Sequence, residues 1–126
     1  MHWLALGLAL LLAFGIIAIG VQYIANTLTM ARTFGLPYPE SGPNIPWWLR
    51  LKGVRDITSG LVVLAMMVWG SEREVGLVLA VEALIPTGDM LTILAAKGST
   101  KHAFGVHGLT AVTMLVAAVP LLMGMA

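Results

Sequence analysis

The sequence predicts an all-α protein, an integral membrane four-helix bundle, and three observations predict it. Hydrophobic residues make up 59% of the 126-residue chain and charged residues only 10%, far below the roughly 25% charged content of an average soluble domain. The apolar residues are gathered into long runs, of which Trp3 to Val21 is the least interrupted. About 20 such residues cross a bilayer core as a helix. Short polar breaks separate the runs. The chain therefore divides into four spans of a single domain, residues 1–126, at about 3–31, 46–70, 75–96 and 102–123, with a Pro-rich connection at 32–45.

Several classes are excluded at once. A formal net charge of +1 with no basic stripe excludes a nucleic-acid partner. The absence of cysteine excludes disulfides and thiolate metal sites.

The first helix does not read as a cleaved signal peptide, because no basic segment precedes it and its apolar run exceeds the roughly 7–15 residues of a signal core. Ala5, Ala9 and Ala13 recur at four-residue spacing, which lets membrane helices approach closely. Gln22 and Asn26 are the polar residues of its second half. The connection that follows holds Pro37, Pro39 and Pro43 before Pro46, so it is not regular helix. At its length it either covers a site or is a plain surface loop. Pro46 fits the first turn of the second helix, and Trp47 and Trp48 fit an interfacial anchor.

The second helix carries the stretch around which the reading turns. Lys52, Arg55, Asp56 and Ser59 share one helical face, yet counting back about 20 residues from Gly70 puts Arg55 and Asp56 inside the hydrocarbon. Intramembrane ionisable residues normally face protein or a watery cavity. The third helix adds Glu82 and Asp89, two turns apart on one side. Pro86 between them denies the Glu82 carbonyl its helical donor, which is consistent with a kink made for packing or for a cavity wall. Thr92 follows one turn on. In the fourth helix His102 stands at the mouth and His107 within the span; His107 reads either as an interhelical hydrogen bonder or as a catalyst. Neither histidine has the spacing of a paired metal motif, so no metal and no cofactor is expected.

Depth groups these residues into one polar layer near one end of the bundle, with Glu82 deeper. Lys52 and Arg55 would there oppose Asp56, Glu82 and Asp89. The layer's end of the chain carries Arg32, Arg50, Lys52, Arg55, Lys97 and Lys101 against Arg73 alone at the other. The positive-inside rule makes that end cytoplasmic and both termini external, with a bacterial inner membrane as the expected location.

The runs Lys52-Gly-Val-Arg55-Asp56, Leu84-Ile-Pro86-Thr-Gly88-Asp89 and Gly105-Val-His107-Gly108 together resemble the small four-span membrane proteins grouped as domain of unknown function 4267. Phe34-Gly-Leu-Pro37 fits the same pattern. The resemblance runs from about Thr33 to Leu122, while helix one matches in apolar character only. In architecture the chain is more distantly similar to DoxX-like proteins. The resemblance implies a four-helix bundle and supplies no activity.

The leading expectation is an intramembrane pocket that binds or converts a small apolar molecule by acid/base chemistry, an isomerase or cyclase type of proton transfer if it is an enzyme. Asp89 or Glu82 would donate a proton and His107 would accept one. Arg55 would hold an oxygen or a developing negative charge, oriented by Asp56. Gln22, Asn26, Lys52, Ser59, Thr92 and His102 would complete the lining. The alternatives are a proton-coupled small-solute transporter, which would call for a homo-oligomer, and a structural or assembly subunit of a membrane complex. Membrane lipids are the expected surroundings in every case.

Overall fold

A computed structural model describes residues 2–38 and 42–125; Pro39, part of the Pro-rich connection, lies outside the described residues. The first rod is α1 (His2–Ala25), which kinks at Asn26 (φ −126°, ψ 54°) into the short α2 (Thr27–Phe34). The second is α3 (Ile45–Trp69), with Pro46 in its first turn, where the missing N–H costs nothing. The third is α4 (Glu72–Glu82) followed by α5 (Leu84–Ala95). The fourth begins with α6 (Thr100–His102), passes through a π turn at Ala103–Gly108, and ends in α7 (Leu109–Leu122).

Local chemistry sets each end. Ser71 and Glu74 form a reciprocal capping box at the start of α4. Pro86 removes the donor for the Glu82 carbonyl, and the break between α4 and α5 falls at that turn. Gly35 ends α2 at φ 110°, a left-handed conformation that glycine adopts without penalty. Its carbonyl accepts from the Ser99 N–H at 2.8 Å, which ties α2 to the start of the fourth rod.

Adjacent rods are antiparallel. α1 packs most extensively on α3, α4 on α7, and α1 also on α7. The α1–α3 contact is a backbone contact. A Cβ on Gly53 would lie 2.6 Å from the Gly20 carbonyl oxygen, and one on Gly20 would lie 2.6 Å from the Gly53 oxygen. This fixes the rotation of α3, which buries Gly53, Asp56, Gly60 and Val63 on one side. In the core, Ala5, Ala9 and Ala13 meet Val63, Val75, Leu79, Met114 and Leu121.

The outside of the bundle is apolar. Leu11, Phe14, Leu61, Leu84, Leu109, Val112 and Val116 are all exposed along the rods, far more apolar surface than a water-soluble monomer carries. α1, the α4–α5 rod and the Thr100–Leu122 rod are long and apolar enough to cross a membrane. α3 matches them in length at 25 residues but carries Arg50, Lys52, Arg55 and Asp56. Trp3 and Trp69 are exposed at one end, Trp47 and Trp48 at the other, the positions of two interfacial belts. The protein is an all-α membrane bundle.

Candidate functional site

The turn between α3 and α4 is only Gly70 and Ser71, so residues whose numbers sum to 141 stand at nearly equal height on the two antiparallel rods. Ser59 is thus level with Glu82, and Lys52 with Asp89. At 1.5 Å per residue the two levels are about 10 Å apart. Between the rods lies a cavity of about 180 Å³, and Lys52, Asp56, Ser59, Glu82, Asp89 and His107 all line it. Much of the remaining wall is apolar, with Leu12, Ile16, Val63, Leu79 and Met114 among it.

α2 supplies the wall at the Lys52 level through Met30, Thr33 and Phe34. The Phe34 carbonyl oxygen lies 2.8 Å from His107 Nε2. A carbonyl only accepts, so Nε2 carries the proton and donates it. Neutral His107 therefore presents the lone pair of Nδ1, and that nitrogen lies 3.7 Å from Asp89 Oδ2. This is ion-pair distance but too long for a hydrogen bond. The imidazole is held on one side by an acceptor and faces a carboxyl group on the other, as a base is positioned for proton exchange.

Lys52 Nζ makes a 2.7 Å ion pair with Asp56 Oδ2, one turn along α3. The same ammonium lies 4.1 Å from the Tyr23 ring centre and 5.2 Å from that of Phe34, within cation–π range. Tyr23 is buried, and its hydroxyl donates to the Met30 carbonyl at 3.3 Å. The lysine is thus fixed by an acid and two aromatic faces. Among the described residues no group of three or more histidines and carboxylates is placed to hold a metal ion.

Five residues expected in the site are elsewhere. Arg55 is exposed on the outside of α3 and does not line the cavity. The Gly20–Gly53 contact fixes α3 so that its buried side is centred about 120° from Arg55, at 100° per residue. Asp56 therefore faces in, and Arg55 neither takes part in the charge layer nor is oriented by Asp56. Gln22 and Asn26 are exposed and satisfy each other, Asn26 Nδ2 donating to Gln22 Oε1 at 2.6 Å. Thr92 is exposed, and its hydroxyl turns back to the Gly88 carbonyl at 2.7 Å; the fully buried Ile93 beside it sets that rotation. His102 packs over Gly35 and pairs through Nδ1 with Ser99 Oγ at 2.8 Å, at the helix start and away from the cavity.

Two features were not read from the sequence. Tyr23 was one, although a signal existed. Continuing the Ala5, Ala9, Ala13 stripe in steps of three and four reaches Gly20, Tyr23 and Thr27, all of them buried. The π turn carrying His107 was the other; Gly105 and Gly108 lie in it, and π turns frequently mark functional sites.

The site defines a class: a helical membrane protein with a partly open cavity among its helices that is apolar over much of its wall and has paired ionisable groups at one level. Residues 13–121 match the family described as Domain of unknown function (DUF4267), and the chain belongs to it. The matched region takes in every ionisable group of the cavity. No curated protein and no solved structure matches the chain.

Proposed function

We propose that the cavity receives a small, largely apolar molecule from the membrane and that the Asp89–His107 pair exchanges a proton with it. The observation that carries this reading is the placement of His107, whose Nδ1 is left basic by the Nε2–H bond to Phe34 and faces Asp89 across a cavity wall. The base takes a proton from one position of the bound molecule, and the carboxylic acid form of Asp89 returns one at another. No atom is gained or lost, which is the balance of an isomerisation or cyclisation. Lys52 takes the part of the cation that stabilises developing negative charge, since it is the lysine or arginine that lines the cavity. Six of the seven lysines and arginines belong to the α2 end, a bias that by the positive-inside rule supports a cytoplasmic α2 end and external termini, and the membrane proposed is a bacterial inner membrane.

A proton-coupled transporter is the second reading, favoured by Glu82 and Asp89 both facing the cavity two turns apart. Purified protein in liposomes that moves protons when a solute gradient is applied would favour it.

The test of the leading reading is mass spectrometry of the small molecules that co-purify with the wild-type protein and with Asp89→Asn and His107→Ala. One apolar molecule retained by the wild type and lost or altered in the folded variants is the expected result. The same bulk lipids in all three would overturn it.

A further inference from the structure

Pairing the cavity's acids with its bases leaves one acid without an ionic partner. Lys52 is taken by Asp56 at 2.7 Å, and His107 faces Asp89 at 3.7 Å. Glu82 lines the same cavity from the end of α4, and among the described residues no basic nitrogen lies within 4.0 Å of its carboxylate. Leu79, one turn before it, and Pro86, one turn after, are cavity walls as well. With Arg55 on the outside, the cavity holds three carboxyl groups against one lysine and one histidine. A carboxylate in such surroundings is costly unless a proton or a cation completes it.

We infer that Glu82 is the anchor for a positively charged nitrogen, so that the ligand class is a small apolar amine or quaternary ammonium. This rests on the cavity reading above and narrows it. Three further observations fix the ligand's size and direction. A cavity of about 150 Å³ holds one benzene, so the about 180 Å³ found here takes a single ring or short alkyl group, and the exposed Ile19, Ile85 and Val106 in its lining leave it open for a compact cationic arm. The Tyr23 and Phe34 rings, which would otherwise attract such a cation, are already faced by the Lys52 ammonium. At the Lys52 level the charged groups already face partners, Lys52 with Asp56 and His107 with Asp89, about 10 Å from Glu82 along the rods. The cationic end therefore goes to Glu82, and the far end of the molecule points toward Asp89 and His107.

The experiment compares two probes of one shape, benzyltrimethylammonium and the uncharged isostere neopentylbenzene, by ligand-detected NMR on purified full-length protein and on Glu82→Gln. The wild type is expected to bind the cation about tenfold or more tightly than the isostere. Glu82→Gln is expected to lose that preference while still binding neopentylbenzene, which shows that the cavity survives the substitution. Equal binding of both probes by the wild type overturns the inference and leaves the cavity reading standing. A preference that persists in Glu82→Gln also overturns it. If the wild type binds neither probe, the inference and the cavity reading fall together.

Discussion

His107 and Phe34 are 73 residues apart in the chain, and the imidazole Nε2 donates to the Phe34 carbonyl across 2.8 Å. The rings of the same two residues lie 4.4 Å apart at 49°. One side chain thus fastens α2 to the fourth rod and is itself held in a single tautomer. The bond that positions the imidazole is also the bond that positions the wall in front of it.

That double role makes α2 the sensitive reporter for His107. His107→Ala leaves the half-buried Phe34 carbonyl without its donor, a cost of about 1–3 kcal/mol. Hydrogen exchange should accelerate across Thr27–Phe34 and remain unchanged in the middle of α1 and α3. Equal protection of α2 in the variant and the wild type would refute the coupling.

The Gly20–Gly53 approach predicts a sharp positional contrast. A Cβ at Gly53 meets the Gly20 carbonyl at 2.6 Å and the Tyr23 Cβ at 3.1 Å, so the backbones must separate. Gly53→Ala should cost about 1–3 kcal/mol, as overpacking does, and should also disturb the cavity through Tyr23. Gly15→Ala, where nothing lies within 4 Å, should be near neutral. Thermal denaturation of both variants in detergent checks this, and similar losses in the two would contradict it.

Asp56 is 7% exposed and depends on Lys52. Lys52→Met should destabilise by about 3 kcal/mol, the low end for a broken buried pair, because the lysine side chain keeps 29% of its surface exposed. The double variant Lys52→Met with Asp56→Leu should recover most of that loss, since no unpaired charge is left behind. A double variant as unstable as the single one would show that the pair is not the source of the cost.

Arg55 gives the opposite expectation. Being exposed and outside the cavity, it should tolerate Arg55→Leu with a stability change under about 0.5 kcal/mol and with unaltered co-purifying molecules. This separates a cavity built for a ligand from a charge network built to lock helix register. A loss of more than about 2 kcal/mol would place Arg55 in such a network.

Several parts of this architecture were legible from residue type and spacing alone. The apolar runs announced the rods, and Pro86 announced the break beside Glu82. The seven-residue steps from Lys52 to Ser59 and from Glu82 to Asp89 placed both pairs on common faces, and the structure brings all four to one cavity. What spacing does not carry is the rotation of a helix among its neighbours. Arg55 and Asp56 are adjacent and equally polar, and only the close approach of Gly20 to Gly53 decides which of them turns inward. The kink at Asn26 was hidden for a different reason. Asn26, Thr27 and Thr29 interrupt the apolar run weakly, without glycine or proline, so the first helix reads as continuous through the point where α2 begins.

A π turn closes its hydrogen bonds over five residues where an α turn uses four, so Ala103–Gly108 contains a surplus residue. Upstream of it, Ser99 is tied to Gly35, and His102 packs over that glycine. His107, near the end of the turn, shares a buried stripe with Ala111, Met114, Ala118 and Leu121 downstream. The two faces are out of phase by one position, and the surplus residue reconciles them. Loss of a single codon between Ala103 and Val106 would change no ionisable group, yet it would swing one face about 100° against the other. The fourth rod would then keep either His107 in the cavity or its foot on Gly35. In this bundle the residue count between two anchors is a heritable determinant of the site, as open to selection as the histidine itself.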